Sequence, residues 1–127
     1  MTGPPAEVAA VRTAVCRALA QIGCPAGTPV LVACSGGADS LALAAAAAHL
    51  VDAKDGGWPA HGAVVDHGLQ DGSSARAEET AALLAGLGVT ARVLPVEVVG
   101  PGGTEAAARR ARYAALRAAR PTAESPV

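Results

Sequence analysis

The stretch Val30–Ala44, VLVACSGGADSLALA, constrains the fold of this chain more than any other part of it. It begins as an unbroken apolar run, which is typical of a buried parallel strand. The run stops at Ser35-Gly36-Gly37, and from Ala38 onward the pattern favours a helix. Glycines allow a tight turn and the close approach of a ligand, and the free N–H groups at a helix start attract anions. Strand, turn and helix start together predict a phosphate site.

Polar side chains around this turn sharpen the prediction. Ser35 and Ser40 supply hydroxyls at its two ends, and Asp39 puts a carboxylate at the helix start. A carboxylate beside a phosphate is explained if a divalent cation lies between them, and Mg²⁺ binds one or two carboxylates together with phosphate oxygens. The Walker A pattern GxxxxGK[ST] is absent and no lysine lies nearby. The sequence therefore predicts a phosphate loop of another kind, with Asp39 as the metal ligand.

Hydrophobic spacing divides the rest of the chain into alternating helices and strands. A first helix is predicted over 5–22, followed by strand–helix pairs over 30–34 and 39–51, 62–66 and 75–86, and 90–98 and 105–119. Ser73 or Ser74 is expected to cap the third helix, and Thr104 the fourth. Strands joined by helical crossovers predict an α/β fold with a doubly wound parallel sheet. In the connection 51–62, Trp58 is interpreted as an exposed loop aromatic rather than a lid over a nucleotide base.

Two further clusters carry polar chemistry. VVDHGL places Asp66, His67 and Gly68 at the end of the second strand, at the same sheet edge as the glycine turn. TEAAARRARYAALR puts Arg109 and Arg112 on one helix face, and the planar guanidinium binds phosphate with two hydrogen bonds. Each cluster also has a plainer interpretation. The first is then a turn that caps a strand end, and the second a solvated face of an amphipathic helix.

Three motifs together resemble a known family. SGGADS fits the SGGxDS signature of the PP-loop (N-type) ATP pyrophosphatases, which split ATP between the α- and β-phosphates and adenylate a carbonyl oxygen. DHGL is similar to the DHGLR element of the tRNA(Ile)-lysidine synthases in that group, with Gln70 where arginine is usual. The arginine helix looks like their EAxARxxRYxxL element. The resemblance runs from about Val30 to Leu116 and implies a Rossmann-like fold of the adenine nucleotide alpha hydrolase type.

The resemblance also implies a reaction. It is the ATP-dependent ligation of lysine to the wobble cytidine of tRNA(Ile) with a CAU anticodon, through adenylation of the base. ATP and Mg²⁺ would be the cofactors, tRNA(Ile) and free lysine the substrates, and Asp39 and Arg109 the catalytic residues. The nucleotide would be bound by Ser35, Gly36, Gly37, Ala38, Asp39, Ser40, Asp66, His67, Gly68 and Arg112. The alternatives are another PP-loop ATP pyrophosphatase, such as a tRNA thiolase, and a truncated ATP-binding fragment without activity.

Length and composition set the remaining expectations. The 127 residues suffice for one small domain, a net charge of -1 makes no case for nucleic acid, and no apolar run is long enough to span a membrane. The three cysteines show no metal-ligand spacing, which favours a reduced, cytoplasmic protein; the oligomeric state stays open. We expect a helix and linker over 1–29, a partial PP-loop domain over 30–120 and a disordered tail over 121–127. Because the family continues with a fourth strand and more carboxylates, we expect an N-terminal fragment, truncated after three strands.

Overall fold

A computed structural model of the protein describes residues 5–50, 57–99 and 102–127. These parts of the chain form three parallel strands in one sheet, in the order β1-β2-β3, with four helices. The elements, in chain order, are α1 (Ala6–Gln21), β1 (Val30–Ala33), α2 (Ala38–Leu50), β2 (Ala60–Asp66), α3 (Ser73–Gly86), β3 (Thr90–Pro95) and α4 (Gly103–Ala119). The predicted α/β fold with a parallel sheet is confirmed.

The central strand β2 is packed closely against β3. Gly62 lies opposite Ala91, and a Cβ atom on Gly62 would stand 2.8 Å from the Cβ of Ala91. Real side chains do not approach so closely, so glycine is needed for the two strands to pair here. In β1, Val30 pairs with Ala60 and Ala33 with Ala63, which brings the ends of both strands to the same edge of the sheet.

Helices cover both faces of the sheet, as a doubly wound plan requires. Successive strand residues point to opposite faces. Val32 and Val64 contact the α2 and α3 side, where Leu84 is fully buried, whereas Leu31 and Ala63 contact Leu116 of α4. Helix α1 packs against α2 and, through Leu19, against Val30 at the start of β1. The core therefore has two layers, built largely from alanine, valine and leucine.

Most element positions agree with the sequence pattern, but several details differ, and α3 and α4 each begin two residues earlier than predicted. Strand β2 begins at Ala60, two residues earlier than predicted, and β3 ends at Pro95 rather than at residue 98. The predicted serine and threonine caps are wrong, because Gly72 and Gly102 precede α3 and α4 with left-handed backbones and no capping side chain. Residues 51–56 of the predicted connection lie outside the described residues.

Two segments have more contacts than the sequence suggests. Trp58 is half-buried against the Leu19 and Val30 cluster, and its Nε1 donates to the carbonyl of Cys24 at 3.1 Å, so the expectation of an exposed ring is wrong. In residues 121–127, for which the sequence predicts disorder, Ser125 is only 2% exposed, and the carbonyl of Pro126 accepts a hydrogen bond from Leu31 N–H at 3.0 Å. None of the helices in the described residues is long and apolar enough to cross a membrane.

Candidate phosphate-binding site

Residues 34–40, here called the glycine loop, connect β1 to α2 and are organised by the hydroxyl of Ser40. That hydroxyl donates to the carbonyl of Gly37 at 2.9 Å. Since its proton is used there, its oxygen can accept up to two further bonds, and three donors lie within reach: Ser35 N–H at 3.3 Å, the Ser35 hydroxyl at 3.3 Å and the Cys34 thiol at 3.2 Å. Ser40 therefore closes the loop from inside, through hydrogen bonds of its hydroxyl to Ser35 and Gly37.

The two glycines of the loop have different requirements. Gly36 has a φ of +94°, and a Cβ atom there would stand 2.9 Å from Oγ1 of Thr80 on α3. Gly37 does not have a positive φ, and a Cβ atom on it would make only an ordinary contact, 3.5 Å from the Ser35 hydroxyl. Gly37 N–H donates to that hydroxyl at 3.3 Å. The fold thus requires a glycine at position 36. At position 37 a side chain would be tolerated, and the glycine there leaves space above the loop.

The start of α2 suits an anion. The helix begins at Ala38, and the N–H groups of a first helical turn have no acceptor within the helix and lie at the positive end of its dipole. Asp39 stands in that turn with an exposed side chain. In the described parts of the chain no three His, Cys, Asp or Glu side chains gather into a metal site. One exposed carboxylate beside a phosphate cradle still fits Mg²⁺, which takes most of its ligands from phosphates and water.

The end of β2 forms a tight turn around Asp66. Its carboxylate accepts hydrogen bonds from the Ser73 side chain and, at 3.0 Å, from Gly68 N–H. These two bonds, with the nearby charges of His67 and Arg76, lower the pKa of Asp66 below the ordinary value of an aspartate, against a smaller opposite effect of burial. The structure therefore gives Asp66 a local role, joining the strand end to α3.

Gln70, which stands where the related motif has arginine, is also held by α3. Its side-chain oxygen accepts a hydrogen bond from Arg76 Nη2 at 3.2 Å, and Arg76 Nη1 donates to the carbonyl of Asp71 at 3.0 Å. The residues from Asp66 to Gly72, here called the Asp66 turn, are thus tied to α3 by two side chains. Sequence reasoning did not single out Ser73 for this contact or Arg76 at all.

The arginine helix carries a stacked cluster on its exposed side. The guanidinium carbons of Arg109 and Arg112 lie 4.9 Å and 5.2 Å from the centre of the Tyr113 ring. At this distance the ring attracts both cations and limits the orientations of the arginines. The prediction that these two arginines lie close together on α4 agrees with this geometry.

A groove of about 630 Å³ runs from the glycine loop along β1 to α4. Its walls come mainly from apolar residues of α1, β1, α2 and α4. Among the predicted site residues, the lining includes Ser35, Ser40, His67 and Arg112. The other candidates among the described residues lie outside this lining: Gly36, Gly37, Ala38, Asp39, Asp66, Gly68 and Arg109. The structure thus brings polar groups from all three motifs to one groove.

A glycine loop between a parallel strand and a helix, with hydroxyls facing a groove at the ends of the strands, defines a nucleotide-binding α/β protein. The chain belongs to the PP-loop domain family, whose model matches residues 11–125.

Relatives of known name share most of this sequence. The chain is 58% identical over 121 residues to the tRNA(Ile)-lysidine synthase of Thermobifida fusca, a match that covers 91% of this chain and 35% of that protein. It is 52% identical over 115 residues to the enzyme of the same name from Salinispora arenicola, with 86% and 32% covered. The corresponding protein of Streptomyces coelicolor is 55% identical over 98 residues. The chain spans about a third of the length of the first two relatives.

Proposed function

We propose that this chain carries the ATP-binding part of a tRNA(Ile)-lysidine synthase. The reaction joins lysine to the wobble cytidine of a tRNA(Ile) with a CAU anticodon. The cytidine carbonyl oxygen attacks the α-phosphorus of ATP and pyrophosphate leaves; the lysine amine then attacks the activated carbon, the C–O bond breaks and AMP leaves. Membership of the PP-loop family and the names of the relatives support this reaction.

One observation carries the assignment of the ATP site: the glycine loop is closed by Ser40 and opens onto a groove that Arg112 and His67 also line. In this proposal the loop amides bind the phosphates, the Ser35 hydroxyl exchanges its bond to Ser40 for one to phosphate, and Ser40 supports the site by holding the loop closed. Gly36, Gly37 and Ala38 contribute backbone only. His67 lies beside the nucleotide, together with Asp66 and Gly68 of the same turn.

In this proposal three side chains help to stabilise the negative charge of the phosphates and of the reacting groups. Asp39 would hold Mg²⁺, which when bound supplies positive charge to phosphate oxygens. Arg109 would stabilise the charge that develops during adenylation or orient the substrate, and Arg112 would contact phosphate across the groove. Tyr113, which stacks on both arginines, limits their orientations before the substrate arrives. We also propose a cytoplasmic location, which the three free cysteines support.

Titration of the 127-residue chain with MgATP in a calorimeter tests the site. We expect binding, and we expect Asp39→Ala to weaken it by at least about tenfold, equivalent to about 1.4 kcal/mol. The loss should be seen with Mg²⁺ and should largely disappear with EDTA, because Asp39 acts through the metal. Glu78→Ala, which removes an exposed carboxylate from α3, is the matched control and should bind as the wild type does. Equal loss with and without Mg²⁺ contradicts the assigned role.

The ligation itself is tested by incubating the protein with tRNA(Ile), lysine and MgATP. Pyrophosphate release should require the tRNA, AMP release should require lysine as the acceptor, and Asp39→Ala should abolish Mg²⁺-dependent pyrophosphate release. Product formation with a sulfur donor instead of lysine indicates another PP-loop ATP pyrophosphatase, such as a tRNA thiolase.

A second candidate, ATP binding without turnover, is favoured for this chain by itself because it spans about a third of the length of its relatives. It predicts MgATP binding and no products with any acceptor.

A further inference from the structure

Helix α3 contacts both candidate binding segments through one row of side chains. Ser73, Arg76 and Thr80 are spaced by three and four residues, so they lie along one side of the helix. Ser73 and Arg76 hold the Asp66 turn, through the carboxylate of Asp66 and the carbonyl of Asp71. Thr80 lies under the glycine loop. The two segments are far apart in sequence, and α3 is a common support for both.

Thr80 fills the space that a side chain on Gly36 would need. Thr80 is 8% exposed, and its Oγ1 atom stands 2.9 Å from the position of a Cβ atom on Gly36. The Thr80 hydroxyl donates its proton to the carbonyl of Arg76 at 3.0 Å. Because threonine is branched at Cβ and this bond holds its rotamer, the side chain does not turn away from the loop. The Thr80 side chain therefore supports the glycine loop at Gly36, where the backbone is left-handed.

We propose that Ser73, Arg76 and Thr80 form a strut on α3 that sets the position of the glycine loop relative to the Asp66 turn, with Thr80 as the positioning residue of the loop. The inference rests on the proposed function only where it concerns ATP. The amides that bind phosphate belong to the glycine loop. Removal of the Thr80 side chain therefore lowers the fraction of molecules in which the loop has the conformation that binds phosphate. The apparent affinity for MgATP falls in proportion to that population.

Hydrogen exchange of the ligand-free chain tests the strut without ATP. In Thr80→Ala we expect the amides of Gly37 and Leu41, both hydrogen-bonded in the loop, to exchange about tenfold faster, equivalent to about 1.4 kcal/mol of local opening. Thr80→Ser, which keeps the oxygen next to Gly36, should stay within about twofold of the wild type. In Arg76→Ala the accelerated amide should be that of Gly68, in the Asp66 turn.

Leu84→Val is the matched control, because Leu84 is fully buried on the same helix but belongs to the core and not to the loop contact. It should accelerate exchange throughout the sheet without singling out the loop. The strut is refuted if the loop amides are unchanged in Thr80→Ala, or if they respond no more than in Leu84→Val.

MgATP titration of the same variants separates this inference from the proposed function. If the strut positions the loop, Thr80→Ala weakens MgATP binding by about tenfold and Thr80→Ser does not. If the wild-type chain binds no MgATP while the exchange pattern holds, the proposed function fails and the strut stands. If the wild type binds MgATP and Thr80→Ala changes neither loop exchange nor affinity, the strut fails and the proposed function stands.

Discussion

At the scale of single residues, the two neighbouring glycines of the loop serve different purposes. Gly36 has a backbone that L-residues rarely adopt and has Thr80 directly beneath it, whereas Gly37 has an ordinary backbone and space above it. Folding therefore explains the first glycine. Packing gives no reason for the second, which agrees with the proposed close approach of a phosphate to the loop.

This difference predicts opposite effects of alanine at the two positions. Gly36→Ala should destabilise the fold by roughly 1–3 kcal/mol, because it combines a strained φ with a contact of 2.9 Å to Thr80. Gly37→Ala should leave the free energy of unfolding unchanged or raise it by up to about 1 kcal/mol, since the added methyl group meets only an ordinary contact. Urea unfolding of both variants and of the wild type measures these changes in the free energy of unfolding.

A double-mutant cycle provides the control. Thr80→Ala removes the close approach but leaves the strained φ, so it should recover part of the stability lost in Gly36→Ala, and its effect should simply add to that of Gly37→Ala. Additive effects of Gly36→Ala and Thr80→Ala contradict the proposed contact. The glycine pair and the loop were predictable from SGGADS, but the partner of Gly36 was not, because nothing local in the sequence indicates that Thr80 packs against it.

At the scale of elements, the sequence located the helices and strands well but predicted the wrong residues at the starts of α3 and α4. Ser73 and Thr104 are typical capping residues, but left-handed Gly72 and Gly102 precede α3 and α4. Ser73 instead turns its side chain to Asp66. A capping preference concerns only the start of the helix, whereas the partner of Ser73 lies at the end of β2, so single-sequence reasoning assigned the serine to the wrong partner.

Helix α4 depends on few buried side chains, which predicts a large effect of one substitution. Leu116 is 4% exposed and contacts Leu31 and Ala63 on the α4 face of the sheet. Leu116→Ala should lower the free energy of unfolding by about 2–5 kcal/mol, since it leaves a cavity in a small layer. Leu83→Ala on α3, where the leucine is 56% exposed, should change it by no more than about 0.5 kcal/mol.

Chemical unfolding followed by circular dichroism compares the two leucine variants. Release of α4 also removes Arg112 from the groove, so MgATP binding should weaken in Leu116→Ala and not in Leu83→Ala. Equal stability of the two variants contradicts the view that Leu116 anchors the helix.

At the scale of the whole molecule, alternating strands and helices were enough to predict the architecture, because crossovers between parallel strands follow general rules. The prediction that the ends of β1 and β2 meet one groove is consistent with the lining by Ser35 and His67. Asp66 was singled out as a nucleotide ligand, and that role stays a prediction. Its hydrogen bonds to Ser73 and Gly68 explain its presence without a ligand.

Those hydrogen bonds make the stability of the whole molecule depend on pH. The pKa of Asp66 is lower in the folded protein than the ordinary aspartate value of about 3.9, chiefly because Ser73 and Gly68 donate to the ionised carboxylate. Below that pH the unfolded chain binds more protons than the folded one, so stability falls as pH falls. The contribution of Asp66 is complete above the unfolded pKa and is lost as the pH drops through the lower, folded value.

Urea unfolding of the wild type and of Asp66→Asn between pH 7 and pH 3 isolates this contribution, because all other carboxylates are common to both proteins. The stability advantage of the wild type should be constant near neutral pH and should shrink as the pH falls below about 5. In a Ser73→Ala background the advantage should be smaller and less dependent on pH, since the largest cause of the lowered pKa is gone. A difference between wild type and Asp66→Asn that stays constant down to pH 3 means that the carboxylate is not held by these donors. The Asp66 turn would then owe its shape to Arg76 and the backbone alone.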